Sequence, residues 1–292
     1  MDIETDGVPK TIDSTYHDVF IMNNGMRVLV LFTCHNRIEK TMRAIHRLVD
    51  GNADIAFSFV AVDAGSTDGT REALRDVPDV LVIQGRSSLY YSNGMRMAMM
   101  YAKDNVESFD YCLLINDDVA FYPGIINKMT EVSGRSRVIV GATCDKEGKL
   151  TYGGIKYDKG IHYHLLGPES SYIKADTFNA NCVLIPWKAF MSSDIIDDHY
   201  VHSLGDFDYG LMLRDKGFEI LTLDEYIGVC ERNPISRTWQ DRSLSRIERV
   251  KKKECVKGAP AQQWFYYLKK HFGLRTAILH TITPFLRIVA GR

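Results

Sequence analysis

No run of about 18 apolar residues occurs anywhere in this chain, which excludes an ordinary membrane-spanning helix. No Cys-x-x-Cys pair occurs either. The six cysteines (Cys34, Cys112, Cys144, Cys182, Cys230 and Cys255) are scattered, most of them in apolar runs where a free thiol packs as a small hydrophobe. That usage argues against structural zinc and suits a reduced, cytoplasmic compartment. The loop after the first expected strand is not Gly-x-Gly-x-x-Gly, so the dinucleotide-binding fingerprint is missing. Met1 to Lys10 is acidic and lacks an apolar core, so no secretory signal is expected there. Internal repeats and low-complexity tracts are absent as well.

Excess charge is also missing overall, at a net −1, but the distribution is lopsided. From Arg232 onward there are 14 Lys/Arg against 3 Asp/Glu, a balance of +11, which leaves −12 on residues 1–231. A basic tail on an acidic body calls for an anionic surface or partner, or is simply a solvated helical face. At 45% hydrophobic and 25% charged residues, 292 residues suffice for one large α/β domain with an appended tail.

What is present alternates. Val28–Phe32 reads as a strand, and Ile38, Met42, Ile45 and Val49 follow at helical spacing. Ala56–Val62, Val80–Ile83, Tyr111–Ile115 and Val138–Gly141 read as further strands. Helices are expected after Ser66–Gly69, after a cap at Asn93, and near Pro123. Strand–helix alternation implies parallel strands joined by right-handed crossovers, hence a doubly wound sheet flanked by helices. Beyond Lys146 the alternation lapses. Leu150–Tyr157 and Phe178–Pro186 read as strands, Asp206–Lys216 as a helix and Phe218–Leu223 as a strand. From Ser243 the chain reads as basic and helical. The expected organisation is a lead-in over 1–26, a domain over 27–240 and a basic helical extension over 241–292.

The most informative stretch is Asn116-Asp117-Asp118, which closes the apolar run Tyr111–Ile115. A strand buried on both faces has no use for two charges, so they belong at its carboxyl edge, where open α/β sheets bind ligands. Adjacent carboxylates there can hold a divalent cation and leave positions for phosphate; a solvated turn before the next helix is the plain alternative. The first strand runs into Thr33-Cys34-His35-Asn36-Arg37 and then a helix start, whose N–H groups suit phosphate. The second ends in Asp63, placed to accept from a base N–H, followed by Ser66 and Asp68, which helix capping explains as well.

In order and spacing, Val28–Arg37, Val60–Thr70 and Leu113–Val119 resemble the family 2 glycosyltransferases with the GT-A fold. The bacterial polysaccharide and O-antigen enzymes of rhamnosyltransferase type are the nearest in kind. Val62-Asp63-Ala64-Gly65-Ser66-Thr67-Asp68-Gly69-Thr70 is similar to the family's V-D-x-x-S-x-D-G-T, and Ile115–Asp118 to its form of the D-x-D metal motif. Leu204–Gly210, with Arg214 and Gly217, is similar to the stretch that carries the catalytic base. The resemblance runs from about Val28 to Asn233.

It implies a role for each matching residue. Thr33, His35, Asn36 and Arg37 would bind the donor nucleotide, and Asp63 its pyrimidine ring. Asn116 and Asp117 would lie near the ribose, with Asp117 and Asp118 at the metal, Mn2+ or Mg2+. Asn93, Gly94 and Arg96 would border the donor, with Tyr90 and Tyr91 as stacking or core residues. Asp206 would be the general base. The family commonly writes Glu-Asp there, whereas Gly205 precedes Asp206, which leaves Asp208 as a competitor. Glu231-Arg232-Asn233 could close over the diphosphate, and His162 and His164 read as surface residues.

The implied chemistry is physically coherent. A cation bridging the diphosphate neutralises charge that grows on the leaving group. One positioned carboxylate takes the acceptor's proton, and a single displacement inverts the anomeric carbon. The expected partners are a UDP- or dTDP-linked sugar and a glycan or lipid-linked saccharide acceptor, with no nucleic acid. Tyr266–Arg292 mixes aromatic, basic and apolar residues, as a peripheral contact on the inner face of a membrane would, or a helix packed on the body. A nucleotidyltransferase would need a Gly-rich basic loop in place of Thr33–Arg37, and a non-catalytic sugar-nucleotide or glycan-binding module would need no base.

Overall fold

The computed structural model describes residues 25–106, 108–169 and 171–291, so the lead-in expected over 1–26 lies almost wholly outside the described residues. The first half follows the expected alternation: β1 (Met26–Cys34), α1 (Ile38–Asp50), β2 (Ile55–Asp63), α2 (Thr70–Arg75), β3 (Val80–Gln84), α3 (Tyr90–Asn105), β4 (Tyr111–Ile115). β5 (Ala120–Phe121), α4 (Ile125–Ser133) and β6 (Val138–Cys144) come next. The second half holds β7 (Leu150–Tyr152), β8 (Gly154–Lys159), β9 (His162–Leu166), β10 (Ile173–Lys174), β11 (Thr177–Phe178) and β12 (Cys182–Pro186). After these come α5 (Trp187–Ser192), α6 (Gly205–Asp215), β13 (Ile220–Val229), α7 (Arg246–Glu254), α8 (Ala261–Phe272) and α9 (Leu274–Val289).

The main sheet runs β3-β2-β1-β4-β12-β6-β13-β10, with β5 added to β13 and β7 to β6. β3, β2, β1 and β4 are mutually parallel, as is the pair β6–β13. β12 lies antiparallel between β4 and β6, because it arrives from β11 without a crossover helix. Every residue of β4 is buried, as an all-apolar central strand requires. Alternate β1 residues serve opposite faces. Val28, Val30 and Phe32 meet Ala44, Ile45 and Leu48 of α1 and Met129 of α4; Leu29 and Leu31 meet Met95, Ala98 and Met99 of α3 with Phe190 and Leu213. Each such side chain removed from water contributes roughly 1.5–3 kcal/mol.

Four local expectations shift. α3 starts at Tyr90, so Asn93 lies inside the helix and caps nothing. Asp68 does cap, but across two helices: one oxygen accepts from Thr70 N (3.1 Å), the other from Ile38 N (3.1 Å). The strand expected over Leu150–Tyr157 breaks at Gly153, where any Cβ would meet the Leu166 carbonyl oxygen at 2.3 Å. The strand expected over Phe178–Pro186 breaks at Asn179-Ala180-Asn181. A small sheet, β11-β8-β9, stands beside the main one.

The basic extension is helical, as expected, and docks on the body. Tyr267 and Leu268 of α8 are buried with Tyr200 and Leu211. Asp208, 3% exposed, accepts from Tyr200 Oη (3.1 Å), Lys270 Nζ (2.9 Å) and His271 Nε2 (2.6 Å). α9 carries Pro284, which has no N–H for the His280 carbonyl four residues earlier. The Trp264 indole N–H of α8 takes that carbonyl instead, at 3.2 Å.

Candidate active site

Because β1, β2 and β4 are parallel, their carboxyl ends meet at one edge, and a cavity of about 740 Å³ opens there. Thr33, His35, Arg37, Asn116, Asp117, Asp118 and Asp206, all expected site residues, line it. One Arg37 nitrogen spans the paired carboxylates, 3.1 Å from Asp117 Oδ1 and 2.9 Å from Asp118 Oδ2. Thr41 Oγ1 donates to the other Asp117 oxygen at 3.0 Å. Burial pushes the Asp117 carboxyl up to about 6, outweighing the attraction of Arg37. Asp118 keeps 23% of its side chain exposed and lies 3.7 Å from the Cys230 sulfur. Burial and the neighbouring Asp118 push that thiol up to about 12, so it stays protonated.

The opposite wall comes from α6 and the extension. Leu204 sits in the left-handed region at φ 72° just before α6, and Tyr90, also lining the cavity, at φ 54°. Such non-glycine residues cost about 1–3 kcal/mol each and collect where a site dictates the backbone. Asp206 follows Leu204. Its carboxylate accepts from Ala180 N (3.2 Å) and Phe207 N (2.9 Å), yet burial raises it to about 6. A carboxylate poised there is mostly ionised at neutrality and able to take a proton. Gly205 explains the missing glutamate: a Cβ at this position would lie 2.6 Å from Ser92 Oγ and 2.8 Å from Ile196 Cγ2.

Other expected site residues are placed elsewhere. Asp208 does not line the cavity; it anchors α8 to α6. Asp63 is fully buried, both oxygens within 3.2 Å of Ser66 N, so it shapes the loop rather than facing the cavity. Asn36 does the same from outside, its amide oxygen taking Thr67 N at 2.8 Å. Gly94 is a contact point between α3 and β1, since a Cβ there would meet Thr33 Oγ1 at 2.5 Å. Asn93 donates its backbone N–H to Val201 O at 3.4 Å, and Arg96 pairs with Asp198 at 3.8 Å; neither lines the cavity. His162 and His164 are exposed on β9, as expected. Of the triplet expected to close over the diphosphate, Asn233 alone lines the cavity.

Several lining residues carried no usable signal. Asn181 lines the cavity beside Asn116 because β12 pairs antiparallel with β4, its carbonyl accepting from Asn116 N at 3.1 Å. His202 lines the cavity with Nδ1 buried and without a hydrogen-bond partner; burial lowers it to about 4, so the ring is neutral at pH 7. Tyr157, Tyr163, Trp264, Tyr267 and Phe272 form an aromatic wall beside Asp206. The aromatic cluster before the last helix was visible as composition, but nothing local tied it to the cavity.

Among the described residues, the one group of three or more metal-ligating side chains is Asp197, Asp198 and His199, away from this cavity. Asp197 there already accepts from Tyr266 Oη (2.8 Å) and Lys270 Nζ (3.1 Å). In the cavity, Asp117 and Asp118 offer hard oxygen donors at one spot that a guanidinium already bridges, which fits a divalent cation.

The fold and this cavity define a glycosyltransferase. Residues 29–199 match the model of Glycosyl transferase family 2, more than half of the chain, and the protein belongs to that family. Among solved structures it is similar to the mannosyltransferase PcManGT from Pyrobaculum calidifontis, in complex with GDP-Man and Mn2+. The TM-score is 0.55 at 12% identity, covering 91% of this chain and 74% of that one. It is also similar to S. aureus TarS 1-349, at a TM-score of 0.54 and 12% identity, covering 90% and 81%. These likenesses establish the GT-A fold, to which this chain adds the helices α7, α8 and α9. No curated protein matches the chain in sequence.

Proposed function

We propose that the protein is an inverting, metal-dependent transferase that moves a sugar from a UDP- or dTDP-activated donor to a hydroxyl of a glycan or lipid-linked saccharide. The setting would be bacterial polysaccharide synthesis of rhamnosyltransferase type, on the cytoplasmic side of a membrane. One observation carries the reading. Asp206, raised to about 6 by burial, lines the same cavity as the Asp117–Asp118 pair. In this assignment Asp118 and Asp117 hold Mn2+ or Mg2+, which neutralises charge growing on the diphosphate leaving group. The PcManGT complex with GDP-Man and Mn2+ supports a nucleotide sugar and a divalent metal in a fold of this kind.

The chain's own groups divide the remaining work. Thr33, His35 and Arg37 hold the donor at the end of β1, with Arg37 leaving the carboxylates to meet phosphate oxygens. Asp206 takes the acceptor hydroxyl's proton, and the aromatic wall beside it packs against the acceptor. A single displacement with Asp206 as the base and no covalent intermediate inverts the anomeric carbon. A binding module would have no need of Asp206, so an inactive Asp206→Asn variant that still binds donor separates the two readings.

The first test is a thermal-shift panel of nucleoside diphosphates and nucleotide sugars with manganese. A ligand at about 100 times its dissociation constant should stabilise by roughly 2.7 kcal/mol. Silence toward every uridine and thymidine diphosphate compound refutes the donor assignment.

A further inference from the structure

α9 has two unlike sides. Ala277 and Ile288 are buried inward, and its axis packs against α8. Outward, Leu274, Ile278, Leu279, Ile282, Leu286 and Val289 are 48–66% exposed. At 100° per residue these six fall within one arc of about 140°, a largely aliphatic stripe with Arg275 inside it, along a helix of roughly 24 Å. Water-facing monomers rarely present such a stripe.

Charge decides what could cover it. α9 has no acidic residue, and Arg275 and Arg287 are exposed on it. Neighbouring α7 exposes Arg246, Lys251 and Lys252, and residues 232–292 carry +11. A second copy seated stripe to stripe would bring two such cationic surfaces together, which is unfavourable. An anionic bilayer offers both what the stripe lacks and what the cations attract. Among the described residues no helix is long and apolar enough to cross a membrane, so the segment would lie in the interface.

We infer that the outer face of α9 is a membrane-docking surface, seating its six aliphatic side chains in the headgroup boundary of an anionic lipid bilayer. The inner side of the same helix reaches the active site, because the His280 carbonyl holds Trp264, and Trp264 lines the cavity. Docking would therefore set the acceptor wall within one helix layer of the lipid, about 8–10 Å. A lipid-linked saccharide could then reach Asp206 without leaving its membrane. That last consequence rests on the proposed acceptor class; the docking itself does not.

The test uses the full chain and large vesicles of phosphatidylcholine with or without phosphatidylglycerol, scored by co-sedimentation. Binding is expected to the phosphatidylglycerol vesicles alone and to fall in high salt. Ile282→Glu and Leu286→Glu should each weaken it roughly tenfold or more, the scale of one aliphatic side chain withdrawn from an apolar phase. Arg275→Gln with Arg287→Gln should weaken it by roughly 30-fold, at about fivefold per basic residue. All four side chains are exposed, so unchanged circular dichroism and unchanged nucleotide binding are expected in every variant. The inference is overturned if the intact chain stays in the supernatant, or if the glutamate variants sediment as before. It is equally overturned if lipid-free sedimentation equilibrium shows a dimer that Ile282→Glu dissociates. Vesicle binding requires no sugar transfer, so failure here leaves the enzymatic reading standing, and an inactive enzyme leaves this one standing.

Discussion

Replacing Asp206 by asparagine keeps size and shape while removing basicity, and the structure assigns that change two opposite effects. Burial raises the carboxyl from 3.8 to about 6. About 2 units at 1.36 kcal/mol each means that holding it ionised costs the folded state roughly 3 kcal/mol. The sign follows from linkage. The folded state binds this proton more tightly than the unfolded one, so stability falls as pH rises from about 4 to about 6 and is then level. Asparagine removes that cost but provides one acceptor oxygen where Ala180 N and Phe207 N now share a carboxylate, a loss of about 1 kcal/mol. The variant should therefore be about 1–2 kcal/mol more stable at pH 7 and show little gain at pH 4. Transfer should fall by about 10²- to 10⁴-fold while metal-dependent donor binding persists. In the parent enzyme, kcat/KM should rise with pH through a limb near 6 that the variant lacks. Urea unfolding at the two pH values and release of nucleoside diphosphate across the pH range measure both effects. Full activity in Asp206→Asn, or a limb that survives the substitution, refutes the assignment of the base.

Three further outcomes follow from particular contacts. Asp118→Ala should abolish manganese-dependent UDP binding in calorimetry with the fold intact, since its carboxylate is partly exposed and its main partner, Arg37, keeps Asp117; unchanged affinity moves the metal elsewhere. Asp208→Ala removes the shared acceptor of Tyr200, Lys270 and His271 and should cost about 3 kcal/mol or more, with α8 becoming sensitive to limited proteolysis. Urea unfolding at parental stability would show that those contacts hold nothing. Gly205→Ala should cost about 1–3 kcal/mol through its contact with Ser92 and Ile196, and a stability equal to the parent's would mean that the start of α6 has room for the family's glutamate.

Local chemistry was enough for the first half of the chain. Tyr111–Ile115 is apolar throughout and so had to be a central strand, and the carboxylates after it had to fall at its exposed end. The period of Ile38, Ile45 and their neighbours placed α1 on one face of the sheet. Thr33, Arg37, Asn116, Asp117 and Asp118 were readable for the same reason: each lies at or just beyond the carboxyl end of a strand, and parallel strands bring such ends together without help from distant residues. Asp206 was readable as a candidate from its motif. Its separation from Asp208, two residues on, was not. That choice depends on Lys270 and His271, more than 60 residues away in sequence, which claim Asp208 and leave Asp206 to the cavity.

The rest was settled by packing at long range. The sequence makes Asp63 a strand-end carboxylate, but its burial beneath the Ser66 loop depends on β1 and β3 closing on either side. Gly94 was expected to border the donor, whereas it is Thr33 that approaches it closely. Asn181 joins the cavity lining only because β12 enters the sheet antiparallel, a register that no residue near it announces. The aromatic wall likewise required α8 to fold back across β8 and β9, held by a carbonyl that Pro284 leaves free. Sequence by itself determined which groups stand at strand ends, since period and polarity act over a few residues. Tertiary structure alone decided which of them face the cavity, because side-chain direction and burial depend on partners from the other end of the chain.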